Sequence, residues 1–547
     1  MRLPLLFAAL VSVAAGPMPQ PGRTEDGVRL AERVPSPLAY LAVAAGDAPR
    51  RGLEAIEVDP AARLVWSSFF DARTTEALGP LRELASLATG EVEFTLNALL
   101  PRADGPALPL LTCRVELSDD AASRLREALD QGQLGTRSDD VAGRPTWTMS
   151  EAQPAGARPE LGREFRIALA GRDLLASNSP SSLDEILRGA APGATTTVHP
   201  DSIAADRVFA TQRQLLGETQ GAHVLHVDWR RLRERIFERI GEAPSVALRS
   251  LGLDVAEHVT VAMRVKPDAM QTSVLVDQPQ GPEGLLAVTA PTTARKILAN
   301  LAPLSFASLT LSIDPARLRE LARTEPGKAR GAGFVRELVE RCDVCGVDFL
   351  EQVLPRLNGS GSAQLVLLDD HADDQGVAFS VGARSAAAAR SLLGEVREAF
   401  ERHHDGPPDH RRDREHGEGH DHPHFSRPDR MVRAEKDLLS FTGPRGEASL
   451  GVVGSDLVFA SRTDTIHRMG ELSKRGGRER QRARQKTQDI CDRVVANRAP
   501  TARGAIGVVA IDSSALGIEG DASSAGGHAG VLFLDEGTLR VEFVSPR

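Results

Sequence analysis

Aromatic side chains are scarce in this sequence, at 4% of 547 residues, and Tyr40 is its one tyrosine. A carbohydrate-stacking surface and an aromatic groove for single-stranded nucleic acid both need ring faces, so both are excluded as main functions. The core must be aliphatic. No stretch beyond the first fifteen residues reaches the ~18 apolar residues that a helical membrane span requires. Also missing are the Gly-x-Ser-x-Gly elbow, the HExxH zinc motif, the P-loop and the dinucleotide fingerprint, so no common catalytic or nucleotide chemistry announces itself. A formal net charge of -9 repels nucleic acid and anionic membranes unless a local basic patch overrides it.

What remains is a globular composition, 41% apolar and 26% charged, in a chain too long for a single hydrophobic core. The N-terminus reads Met1-Arg2, an apolar run from Leu3 to Ala15, and small residues before Gly16-Pro17. Basic start, apolar centre and small-residue end are the parts of an export signal, here residues 1–16. No cysteine follows the run, so a lipid anchor is not expected. The mature chain is expected to be exported, periplasmic or extracellular.

Internal similarity carries most of the architectural information. AHVLHVDWRRLRE at 222–234 parallels SLTLSIDPARLRE at 308–320, and a looser copy lies at Val509-Ala510-Ile511-Asp512. Gly252-Leu253-Asp254 and its sequel to Val259 parallel Gly346-Val347-Asp348 and its sequel to Val353. A third pair, IALAGRDLLASN from Ile167 and LGVVGSDLVFAS from Leu450, reads twice as strand, tight Gly-x-Asp turn and strand. A strand and then a helix precede each hairpin: Leu111 to Leu117 with Asp119 to Gln131, and Val377 to Gly382 with Ser385 to Arg402.

These patterns predict an α+β fold of tandem repeated units. Each is mainly antiparallel or mixed sheet with helices packed on one face, approximating a split βαβ arrangement. The expected divisions after the signal are an N-terminal unit over 25–195 and a shorter middle unit over 196–296. A second full unit over 297–475 and a basic helix with C-terminal strands over 476–547 follow.

The recurring aspartates Asp228, Asp314, Asp512, Asp254 and Asp348 stand where helices begin or chains turn. A carboxylate there accepts hydrogen bonds from first-turn N–H groups, so capping is their expected role. Gly359-Ser360-Gly361-Ser362 leads into a strand and not a helix, so it reads as a turn and not a phosphate cradle.

One run, HHDGPPDHRRDREHGEGHDHPHF at 403–425, holds seven of the fourteen histidines. His416, His420, His422 and His424 alternate with carboxylates, a donor mixture suited to zinc, nickel or copper. The run also falls where the first unit has its own Pro- and Gly-rich gap, which fits a solvated insertion. Cys342 and Cys345 occupy apolar positions on one helix face. In an exported chain they are also disulfide candidates, with each other or with Cys113 or Cys491. The basic run from Lys474 to Lys486 could meet an anionic partner, but without apolar or aromatic interleaving a solvated helix is the simpler use.

Taken together, the export signal, the opening Val34-Pro35-Ser36-Pro37-Leu38-Ala39-Tyr40-Leu41, the strand-Asp-helix phrases and the Gly-x-Asp hairpins resemble a loose group of exported bacterial proteins of unknown function. That resemblance covers most of the chain and implies tandem α+β units and an envelope location. It brings no catalytic residues. The function expected is a non-enzymatic binding or scaffold protein of the cell envelope, with no cofactor, no nucleic-acid partner and an envelope protein or ligand as its target. The alternative is a periplasmic divalent-metal-binding protein acting through the histidine run.

Overall fold

The computed structural model of the chain describes residues 29–43, 88–100, 108–132, 135–149, 165–189, 199–215, 222–240, 252–265, 269–299, 307–325, 329, 332–344, 347–368, 375–404, 430–435, 437–443, 446–474, 477–496, 504–511, 528–535 and 537–546. Helices and antiparallel strands form two compact units. One holds Met1–Ser245 and Asp254–Pro279 with Arg547, the other Val246–Leu253 and Gln280–Pro546. The signal of residues 1–16 and the histidines 416, 420, 422 and 424 lie outside the described residues, as does Cys345.

The first unit contains strands β1 (Ala39–Val43), β2 (Ala88–Leu100), β3 (Leu108–Leu117), β4 (Thr136–Val141), β5 (Arg144–Met149), β6 (Phe165–Ala170), β7 (Asp173–Ser177), β8 (Ala222–Asp228), β9 (His258–Val265) and β10 (Ala269–Asp277). Its helices are α1 (Leu30–Arg33), α2 (Asp119–Asp130), α3 (Pro180–Gly189), α4 (Arg207–Leu215) and α5 (Trp229–Ile240). Antiparallel ladders join the strands in the order β10-β9-β8-β1-β2-β3-β7-β6-β5-β4.

Helices cover both faces of this sheet, which corrects the expectation of one covered face. Along β7 all five residues are buried. Leu174 and Ala176 share a core with Leu125 and Leu129 of α2. Leu175, on the opposite face, packs with Leu183, Ile186 and Leu187 of α3. A strand buried on both faces loses the apolar-polar alternation from which one-sided packing is read.

The second unit contains β11 (Ala307–Ser312), β12 (Leu357–Leu367), β13 (Gln375–Ala383), β14 (Arg430–Glu435), β15 (Leu438–Gly443), β16 (Gly446–Val453), β17 (Asp456–Ala460), β18 (Ala505–Ile511), β19 (His528–Asp535) and β20 (Thr538–Pro546). Its helices are α6 (Ala294–Ala299), α7 (Pro315–Ala322), α8 (Ala332–Val344), α9 (Ala386–His404), α10 (Thr463–Lys474) and α11 (Gly477–Ala496). The ladder order is β20-β19-β18-β11-β12-β13-β17-β16-β15-β14. Adding ten to each strand number of the first unit reproduces this order.

Segments 196–296 and 476–547, expected as a middle unit and a C-terminal segment, both supply strands to the ladders above. The first supplies β8 to β10, with β8 hydrogen-bonded to β1, and the second supplies β18 to β20, with β18 on β11. Each returns to an otherwise open strand edge, whose N–H and C=O groups need partners. The most similar phrases, at 222–234 and 308–320, therefore sit at different places in the order, on β8 and β11. The looser copy at 509–511 lies on β18, which matches β8. What the phrases share is local: a strand, then a helix whose start is capped by aspartate. Asp314 accepts from the N–H groups of Ala316 and Arg317, and Asp348 from those of Leu350 and Glu351.

Gly359-Ser360-Gly361-Ser362 is not a turn before a strand but part of β12 itself. Gly359 has φ +83°, and the β12–β13 register shifts between Leu357 and Gly361, so glycine makes a bulge there.

Among the described residues of the first unit, the buried Arg114, Glu93 and Asp173 bring charge into the core together. Arg114, 3% exposed, reaches Asp173 at 2.9 Å and Glu93 at 3.2 Å. Glu93 also accepts from the Tyr40 hydroxyl at 2.6 Å and the Leu30 N–H at 3.1 Å. Burial opposes the Arg114 charge, but Glu93, Asp173 and Glu116 outweigh it and raise the guanidinium above its ordinary value. This single tyrosine is thus a structural residue.

Candidate functional site

The richest grouping of chemistry-bearing side chains among the described residues lies at one end of β8, β9 and β10. Strand register creates it. Asp228, His258 and Asp277 stand directly across from one another, and on the next row of the same face His226 stands between Tyr40 and Thr260. Residues two apart on a strand share a face, so the two rows are stacked along the strands. Asp206, at the start of α4, completes the cluster.

His258 occupies its centre. Its Nε2 lies 3.9 Å from Asp206 Oδ2, and its Nδ1 lies 3.9 Å from Asp277 Oδ2. Asp206 is held by its own cap, Oδ1 accepting from Val208 N–H at 2.7 Å. Asp228 Oδ1 accepts from Arg231 N–H at 3.1 Å, so this aspartate both caps α5 and faces the histidine. Burial opposes the charge on His258, but Asp277, Asp206 and Asp228 prevail, and its protonation is raised above the ordinary histidine value.

His226 behaves in the opposite way. It is 2% exposed, stacks on His258 with centroids 5.4 Å apart, and meets the edge of Phe209 at 4.9 Å. Its Nδ1 hydrogen-bonds with Thr260 Oγ1 at 2.8 Å, and Thr260 in turn donates to Gln212 Oε1. Burial and the neighbouring His258 push its titration down to about 4, against a small opposing pull from Asp206. The two adjacent imidazoles are thus driven apart, His258 towards its charged form and His226 towards its neutral one.

Glu257 adds a further carboxylate. Ligand atoms of Glu257, His258 and Asp277 all lie within 4.8 Å of one another. Their backbone is pinned, since Glu257 N–H donates to Asp277 C=O and Arg230 N–H to Glu257 C=O, both at 3.0 Å.

None of these residues was read from sequence as part of a site: Asp228 was taken as a cap, and Glu257 and His258 entered only as members of the repeated phrase from Gly252 to Val259. His258 and Asp277 are nineteen positions apart and meet only through the β9–β10 register. The available signal was symmetry: both lie equally far from Pro267-Asp268, a turn-forming pair between two apolar runs.

Of the residues that sequence did single out, Cys342 packs beside the core of Leu318, Val335 and Phe349. Cys113 and Cys491 are buried, and burial pushes both thiols up to about 12. The basic run spans the end of α10 and the first half of α11, with Lys474, Arg482 and Lys486 exposed. The far half of α11 buries Ile490, Cys491 and Val494. No described helix is long and apolar enough to cross a membrane.

No protein-family model matches this chain, and no curated protein matches it. Among solved structures it is similar to three crystal forms of TP0453, each at 8% identity. Form III gives a TM-score of 0.26 over 51% of this chain and 87% of that one. Form IV gives 0.25 over 45% and 79%, and form I 0.24 over 45% and 78%. At these scores the likeness assigns neither fold nor function.

Proposed function

We propose that this chain is an exported, non-enzymatic binding or scaffold protein of the cell envelope, whose two ten-strand units descend from one duplicated α+β unit. The shared strand order supports the duplication. Binding is supported chiefly by an apolar row that differs between the units. In the first, Leu41, Phe94, Cys113, Ala176 and Ile167 lie side by side across five strands, inside or against the core under α2. Counted from the matching hairpin, Ala176 and Phe459 are each the fourth residue of their strand, and both pair with the strand before the helix. In the second unit that row reads Leu309, Ala363, Phe379, Phe459 and Leu450. Here Phe379 is 39% and Phe459 48% exposed, with Val381 on the same face at 39%. Adjacent exposed aromatics in a chain so poor in them are the kind of anchor that fills a partner's pocket.

Two measurements test this reading. Terminal sequencing of the chain recovered from the envelope should begin after residue 16, and a cytoplasmic chain retaining Met1 would remove the export half. A photo-crosslinker at Val381 should yield envelope adducts that disappear in Phe379→Ser/Phe459→Ser. Equal adducts from that variant would remove the surface from consideration.

A further inference from the structure

We propose that Glu257, His258 and Asp277 bind a divalent transition-metal ion, zinc before others, at a site distinct from the histidine run. The spacing is the first argument. His258 Nδ1 and Asp277 Oδ2 are both buried and face each other as a loose ion pair, with no partner within hydrogen-bond distance of either atom. At 3.9 Å they stand too far apart to bond each other. Two donors on a tetrahedral ion with bonds of about 2.0–2.1 Å stand roughly 3.3–3.5 Å apart, so about half an ångström of closure would bring this pair to ligand spacing, and Glu257, within 4.8 Å of both, would move in with them.

The surroundings are those of a metal-binding histidine. A ligating imidazole ordinarily presents its other nitrogen to a carboxylate, which fixes the ring and strengthens the donor. Here that nitrogen is Nε2, and the carboxylate facing it is Asp206, at 3.9 Å an ion-pair partner that would have to close by nearly 1 Å to accept a hydrogen bond, and itself anchored by the N–H of Val208. Behind the ring, His226 supplies a flat support, itself held by Thr260 and Gln212. Gln212 is 2% exposed and its Nε2 makes no hydrogen bond among the described residues, a further buried polar atom beside the cluster. Two of the three ligands come from paired strands, which hold position better than loops. One imidazole with two carboxylates suits zinc or manganese and disfavours the metals that seek thiolates.

Zinc titration of the full-length chain tests the site, in a background where His403, His404, His410, His416, His420, His422 and His424 are all asparagine. That background is expected to bind about one zinc per chain in the micromolar range or tighter. Asp277→Asn, which keeps the side-chain shape, should weaken binding at least about tenfold, and Asp206→Asn by about 10–100-fold through the imidazole. His258→Ala should abolish it. Cobalt offered in place of zinc should show the intense visible absorption of a tetrahedral site, lost in Asp277→Asn. Melting curves identify any variant that fails to fold, and Glu257→Gln then takes its place. The proposal is overturned if the background binds no zinc, or if the folded variants bind it as well as the background does.

Discussion

His226 and His258 lie almost parallel, 5.4 Å between ring centroids and 16° between planes, yet their surroundings drive their protonation in opposite directions. His226 is enclosed by Phe209, Tyr40 and Thr260, whereas His258 is ringed by Asp206, Asp228 and Asp277. A charged His258 is itself one reason that His226 stays neutral.

In metal-free protein the pair should therefore produce a stability maximum near the ordinary histidine value of 6.5. His226 titrates lower when folded than when unfolded, so its contribution is complete above 6.5 and is lost as pH falls towards about 4. His258 titrates higher when folded, so its contribution is complete below 6.5 and is lost as pH rises through its raised value. Urea midpoints from pH 4 to 9 with chelator present measure the curve. Imidazole NMR assigns the two limbs, and a midpoint near 6.5 for His226 would contradict the burial argument.

Removing the buried cation should be far more damaging than removing a surface one. Arg114→Leu leaves Glu93 and Asp173 without their shared partner at 1% and 3% side-chain exposure, and is expected to cost about 3–5 kcal/mol. Tyr40→Phe removes only the hydroxyl that donates to Glu93, and should cost about 1.5–3 kcal/mol. Denaturant unfolding of both variants reads the difference. Arg124→Ala, whose partner Asp120 is exposed, should change stability by less than about 1 kcal/mol.

Cys113 and Cys491 should resist alkylation in the folded chain at pH 8, because thiols pushed up to about 12 hold almost no thiolate and both are buried. Mass spectrometry after iodoacetamide, with and without guanidinium, checks this. Rapid modification of either one under native conditions would count against its burial.

Two glycines with left-handed backbone separate conformational cost from steric cost. Gly454→Ala has φ +66° but open space around the new methyl group, and should cost about 1 kcal/mol. Gly359→Ala has φ +83° and would place Cβ 2.8 Å from the Ile313 carbonyl oxygen, and should cost about 2–3 kcal/mol. Thermal melts of the pair give the comparison. Equal losses would mean that the bulge in β12 can open.

Local features were legible because local residues cause them. The helix at Asp119 follows a strand ending at Leu117, with Ser118 capping it, and the turns at Gly171 and Gly454 close hairpins where Gly-x-Asp stands. Asp314 and Asp348 cap because a carboxylate at a helix start meets unpaired N–H groups whatever the rest of the chain does. The serine-glycine run in β12 misled for the complementary reason. Its glycine content suits a turn, and only the pairing with β13 makes it a bulged strand.

By itself, then, the sequence determined an aliphatic α+β chain too long for a single core, with capped helices and Gly-x-Asp hairpins, since these follow from length, composition, periodicity and side-chain hydrogen bonding within a few residues. Only the tertiary structure decided which strands are neighbours. Ladder register brought Glu93 to Arg114 to Asp173, and Asp228 to His258 to Asp277, and it set Phe379 opposite Phe459. Backbone hydrogen bonds between strands are the same for every residue type, so the partners they join cannot be read from any one strand's own sequence.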